Sequence, residues 1–184
     1  MKNQTVADQI TRARTALVLD QPFVGVLALR LRLVEDERIP TAAVDGKHII
    51  YNPTFIAKLS PGETRTLLAH EVFHCVYDHI GRRGARNPRK YNQAGDYVIN
   101  ATLKDAGFDE IKGWLFNPAY AGMSSDEVYN LLPDDDSGGK DPLDECQDGN
   151  SEETEVTATD GCPGSHNRGH HLWCCRSCWG CCWS

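Results

Sequence analysis

Ser60-Pro61-Gly62-Glu63-Thr64-Arg65-Thr66-Leu67-Leu68-Ala69-His70-Glu71-Val72-Phe73-His74-Cys75-Val76-Tyr77-Asp78-His79-Ile80-Gly81 is the stretch from which the rest of the sequence can be read. Ser60 suits a helix N-cap, Pro61 the first helical position, and Glu63 the third place of a capping box. The spacing predicts a helix from Ser60 to about Ile80, with Gly81 as its stop. Near its middle stands His70-Glu71-Val72-Phe73-His74. Two histidines four residues apart lie on one helix face, one turn apart. That places both imidazoles within reach of one tetrahedral Zn²⁺. Glu71 follows the first of them and can act as general base toward water acidified by the ion. Leu67, Leu68, Val72, Cys75 and Val76 supply apolar packing around the motif, so Cys75 reads as core.

A catalytic zinc needs a third protein ligand and an open position. Asp96 and His79 are the candidates. His79 follows His74 by five residues, about 140° away on a continuing helix. It reaches the ion only if the helix breaks first, and the visible break signal, Gly81, comes later. Asp96 lies on a further helix expected over residues 91–106, where Asn92, Asp96 and Asn100 share one face. Its neighbours Ala94, Val98 and Ile99 imply partial burial, where an unpaired carboxylate is costly. The reading favours Asp96, with His79 as the alternative. His79, Asn92 and Asn100 are then expected to hold ligands in place by hydrogen bonds. Tyr51, Tyr91 and Tyr97 are candidates for stabilising an oxyanion, with nothing in the pattern to choose among them.

The elements around this pair of helices follow from the same rules. Val6, Ile10, Ala13 and Leu17 mark a helix over 3–19. Leu27, Leu29, Leu31 and Leu33 alternate with other residues, which favours a strand over 27–34, with a helix as the alternative. Residues 41–44 and 47–51 flank Asp45-Gly46, a strong hairpin signal. Arg82 to Lys90 reads as a basic loop. Ser124 to Glu127 caps a last short helix that ends before Pro133.

The chain has 184 residues and a net charge of −7. Residues 1–133 are nearly balanced, whereas 134–184 carry 11 acidic and 3 basic side chains. Seven of the eight cysteines lie in that second segment. We therefore divide the chain into a folded domain, 1–133, and an acidic linker with a Cys/His/Trp-rich end, 134–184. The linker composition is that of a disordered segment. Cys175-x2-Cys178-x2-Cys181 has metal-ligand spacing, but the end shows no helical or strand period, and an out-of-frame origin is the favoured reading. No stretch has the roughly 18 apolar residues of a membrane span, and the start lacks an apolar secretory core, so a cytoplasmic protein without membrane attachment is expected. The acidic balance argues against nucleic acid as a partner. Arg82, Arg83, Arg86, Arg89 and Lys90 are read as a solvated loop or as a dock for the chain's own acidic tail.

Pro40-Thr41-Ala42-Ala43-Val44-Asp45-Gly46, Tyr51-Asn52-Pro53, Leu68 to Cys75 and Asn92 to Asn100 together resemble a bacterial metallopeptidase domain that precedes a VWA-like domain in its family. The resemblance covers about residues 10–133. It implies an α+β, zincin-like fold, with a small β-hairpin or sheet and the active-site helix followed by a ligand-bearing helix. It also implies one Zn²⁺ per chain, a gluzincin-like acidic third ligand, which matches Asp96, and a protein or peptide substrate. No VWA-like domain follows in these 184 residues. The expected activity is peptide-bond hydrolysis by metal-activated water. The alternative is a non-catalytic, metal-stabilised protein-binding module, or a truncated inactive fragment.

Overall fold

A computed structural model describes residues 5–134. The expectations for the tail from residue 135 onward lie outside the described residues. The described chain is helix-rich α+β, with seven α-helices and one three-stranded sheet.

α1 (Val6–Asp20) starts at Thr5, whose side chain closes a capping box with Asp8. Its Ile10, Ala13 and Leu17 are buried. Gln9 on the same helix donates to the Ile56 and Leu59 carbonyls and to Thr64 Oγ1, which ties α1 to the entry of the motif helix.

The strand expected over 27–34 is corrected here. Pro22 begins a helix, α2 (Pro22–Arg30), and the strand β1 occupies only Arg32–Glu35. The leucine alternation does not follow the burial. The small residues Val24, Gly25 and Ala28 recur at helical spacing and face inward, while Leu29 is exposed. A Cβ at Gly25 would lie 2.4 Å from Val18 N and 2.6 Å from the Leu17 carbonyl carbon. Glycine is what lets α2 lie against α1.

β2 (Ala42–Val44) and β3 (His48–Tyr51) form the expected antiparallel hairpin. Gly46 takes the positive φ of 87°, and Asp45 Oδ1 accepts from the Lys47 and His48 amides. β1 joins β3 in parallel, giving the order β1-β3-β2 with β2 at an edge beside the motif helix. Asn52 caps the single turn α3 (Pro53–Ile56).

The motif helix α4 (Pro61–Val76) has the expected Ser60/Glu63 capping box. It ends earlier than expected. Asp78 adopts a left-handed conformation with φ 50°, and α5 (His79–Arg82) starts anew with the Asp78 side chain accepting from Gly81 N. An aspartate can take that conformation because its short side chain satisfies the local backbone. α6 (Pro88–Asp105) starts before the expected residue 91, because Asn87 caps it and Pro88 fills its first position. Arg89 and Lys90 therefore belong to a helix. A loop with a 3₁₀ turn at Pro118–Tyr120 leads to α7 (Ser125–Leu131), capped by Ser124 and Glu127 as expected.

α4 runs through the centre and packs on α1, α2, β2 and α6. Leu67, Leu68 and Val72 join Ile10, Leu17, Ile49, Ile56, Ile99 and Leu103 in one core. No helix among the described residues is long and apolar enough to cross a membrane.

Gly25→Ala tests the α1–α2 approach. Helix propensity alone favours alanine by about 1 kcal/mol. The clash is with backbone atoms that cannot rotate away, so we expect a net loss of about 1–3 kcal/mol instead. A lower urea midpoint at unchanged slope is the expected result, and a raised midpoint contradicts the packing described.

Candidate metal centre

His70 and His74 project from one face of α4 toward α6, which presents Asp96. His70 Nε2 lies 3.0 Å from His74 Nε2. Asp96 Oδ1 lies 3.3 Å from the first and 3.2 Å from the second. A tetrahedral ion about 2.0–2.1 Å from each ligand needs those ligand atoms about 3.3–3.4 Å apart. The triangle is therefore close to one face of a zinc tetrahedron. Asp96 Oδ1 is buried and, among the described residues, makes no aligned hydrogen bond in spite of its two close nitrogens. Its geometry suits a shared cation between the three atoms better than a proton on any one line. The donor set fits the group.

Each of the three has a support on its far side. His70 Nδ1 is 2.9 Å from Asn100 Oδ1, and Asn100 Nδ2 donates to the Leu115 carbonyl. That fixes the Asn100 oxygen toward His70, so His70 carries its proton on Nδ1 and keeps Nε2 for the ion. Asn92 Nδ2 donates to Asp96 Oδ2 at 3.2 Å. His74 Nδ1 is 3.0 Å from His79 Nδ1. The early break at Asp78 turns His79 back, and the structure places it behind His74, outside the three-atom cluster. A Cβ at Gly95 would lie 2.7 Å from the His79 ring, so α6 makes room for that ring with a glycine.

The electrostatics match buried ligands. Burial works against the Asp96 charge, but the two imidazoles outweigh it and hold the carboxyl down to about 2. Burial pushes His74 down to about 4 and His79 to about 3, with His74 the second cause for His79. Burial pulls His70 the same way, but Asp96 outweighs it and raises His70. Glu71 is fully buried, and neither of its carboxyl oxygens has a hydrogen-bond partner among the described residues. Burial pushes it up to about 8.

The other sequence candidates lie elsewhere. Tyr51 donates to Glu35, and burial followed by that carboxylate raises it to about 12. Tyr91 donates to Asp126, and the Tyr97 ring packs edge-on against Tyr120. The hydroxyls of Tyr51 and Tyr91 are thus held by carboxylates outside the three-atom cluster. Cys75 is half-buried, and burial pushes its thiol up to about 11, which disfavours the thiolate that a nucleophile needs. In the basic segment, Arg82 and Arg86 pair with Asp126, and Lys90 pairs with Asp134. Sequence reasoning missed Ser125, 2.7 Å from His79 Nε2, and the Leu115 carbonyl. Neither has a local signal. Gly95 has one, since a glycine inside a helical pattern asks for a reason.

With this geometry in view, residues 5–171 match the family described as "Putative metallopeptidase domain". The chain belongs to that family. The match extends past the described residues into the acidic segment. No curated protein and no solved structure matches the chain. Within this metallopeptidase-domain family, the motif helix and the Asp96 helix supply a possible metal site of His70, His74 and Asp96.

Glu71 carries a stability signature in the metal-free protein. Its folded-state pKa, about 8, lies above the ordinary 4.5. Between those values the unfolded chain releases the proton while the folded chain keeps it, so stability falls as pH rises through the window. Below it the cost vanishes. Glu71→Gln cannot ionise and removes that slope. In chelator, urea unfolding should show the variant about 1–3 kcal/mol more stable than wild type, relative to their difference at about pH 4.5, once pH reaches about 7.5. Parallel pH profiles for the two proteins contradict the burial argument.

Proposed function

We propose that this chain is a zinc-dependent peptidase domain that cleaves peptide bonds in a protein or peptide substrate. The observation that carries the reading is the convergence of His70 Nε2, His74 Nε2 and Asp96 Oδ1, beside a Glu71 carboxyl with no hydrogen-bond partner among the described residues. Two imidazoles and one carboxylate suit zinc, and three protein ligands leave one position of a tetrahedron open. The ion, when bound, supplies Lewis acidity, polarising a carbonyl and acidifying water.

The remaining work belongs to the chain's own residues. Glu71 takes a proton from water and returns it to the leaving nitrogen. The ionised carboxylate that this role needs is favoured by a cation bound at the neighbouring ligands, and among the described residues no hydrogen bond has to break before its oxygens accept. Asp96 brings one negative charge to the ion, so the centre keeps more negative charge than a three-histidine site would. Asn100, Asn92 and His79 hold the three ligands and spare them reorganisation during reaction. β2, the edge strand beside α4, pairs only with β3 among the described residues and offers its other side to an extended peptide.

Metal content and turnover test the reading together. The purified chain should hold zinc that His70→Ala and Asp96→Ala lose. Glu71→Gln should keep that zinc and lose peptide hydrolysis by about 10²–10⁴-fold. Hydrolysis at the full wild-type rate in Glu71→Gln removes the mechanism. A protein that holds zinc and binds polypeptides equally with and without Glu71, yet cleaves none, is the metal-stabilised binding module instead.

A further inference from the structure

His74 and His79 meet through their Nδ1 atoms at 3.0 Å. A hydrogen bond there needs one nitrogen with a proton and one with a lone pair. On the reading proposed above, His74 Nε2 gives its lone pair to the ion, toward His70 and Asp96. The His74 proton then sits on Nδ1, and His79 Nδ1 accepts it. That leaves the His79 proton on Nε2, which is 2.7 Å from Ser125 Oγ at the first position of α7. One choice at the ion thus fixes the proton positions in sequence out to a different helix.

Two departures from ordinary local rules serve this arrangement. Asp78 is the one non-glycine residue with positive φ among the described residues, and it turns the chain so that His79 folds back behind His74. Gly95 sits inside an 18-residue helix, where glycine costs about 1 kcal/mol against alanine, and a Cβ there would strike the His79 ring. A ring that only filled space would need neither.

We propose that His79 and Ser125 form a positioning relay that holds His74 Nε2 on the ion, so that the docking of α7 sets the metal affinity of the site. His79 touches neither ion nor substrate. It acts through His74, and Ser125 acts through His79. The inference rests on His70, His74 and Asp96 being a metal centre.

The two conservative variants of His79 cut the relay at different links. Asparagine carries an oxygen at the place of Nδ1 and keeps an acceptor for His74, but has nothing to reach Ser125. Glutamine carries a nitrogen at the place of Nε2 and keeps the donor toward Ser125, but offers His74 nothing. The experiment is zinc competition with a chromophoric chelator on the full chain, together with the visible absorption of the Co²⁺ form. Thiolate charge-transfer bands of Co²⁺ report any binding by cysteines separately. His79→Ala should weaken zinc binding about 10–100-fold. His79→Asn should recover only the part of that loss that belongs to the His74 link, stopping at the affinity of Ser125→Ala, and keep the wild-type Co²⁺ spectrum, while His79→Gln should match His79→Ala in both. Ser125→Ala should weaken binding in the wild-type background and add nothing in His79→Asn, as expected for residues acting in series.

Wild-type affinity in His79→Ala overturns the relay. So does an equal loss in the asparagine and glutamine variants that follows a fall in the melting temperature of the metal-free protein, which marks a packing role. If the wild-type chain binds zinc that Asp96→Ala loses, while His79→Ala leaves it unchanged, the relay alone fails. If the wild-type chain binds no metal at His70, His74 and Asp96, the relay and the metal centre fail together.

Discussion

Four ionisable side chains are buried together where α4 meets α6, and the rest of the described structure is arranged around that. His70, Glu71, His74 and Asp96 are all buried. Removing a carboxylate from water costs several kcal/mol unless charge and hydrogen bonds compensate it. Asp96 is compensated by two imidazoles at 3.2–3.3 Å and by Asn92. Glu71 is not, and it responds by holding its proton. A fold selected only for stability would place apolar side chains at these four positions. On the function proposed above, the burial prepares the site for a cation and for proton transfer beside it.

Such a cluster keeps its geometry only if the helices that carry it are fixed from behind. α4 does this by burying Leu67, Leu68 and Val72 among Ile10, Leu17 and Ile49, while its other face carries the imidazoles. α6 does it with Ile99 and Leu103, and its Asn92, Asp96 and Asn100 lie on the side turned to α4. Apolar packing has no direction and cannot set the angle of a ring. The hydrogen bonds of Asn100, Asn92 and His79 supply that direction, one for each proposed ligand. Core and site are thus two faces of the same pair of helices.

What was legible in the sequence has a common physical origin. The Asp45-Gly46 hairpin, the Ser60/Glu63 start of α4 and the Ser124/Glu127 start of α7 all rest on contacts within a few residues. Such signals keep their meaning in any fold. Residues 27–34 were misread because a leucine alternation has two solutions, and the choice between them lay with α1. Only a helix lets Gly25 meet the backbone of Leu17 and Val18. The end of α4 was misread because Gly81 looked like the stop. The stop came at Asp78, whose left-handed turn is worthwhile only because it delivers His79 to a place set by α6 and α7. The start of α6 was placed late for a smaller reason, since a basic run hid the Asn87 cap and Pro88.

The sequence by itself determined the candidate donors. Two imidazoles at helical spacing, a carboxylate beside the first and an Asn-x3-Asp-x3-Asn face follow from residue chemistry and the 3.6-residue period, which do not depend on the fold. It narrowed the third position of the triangle to Asp96 or His79 and favoured Asp96. Only the tertiary structure brought Asp96 to the imidazoles and turned His79 to their rear. It also chose their partners, Asn100 at a separation of 30 residues from His70 and Ser125 at 46 from His79. Contacts so distant along the chain leave no periodic trace in it. They exist because packing α4, α6 and α7 around one core brings these polar groups within hydrogen-bond reach of one another.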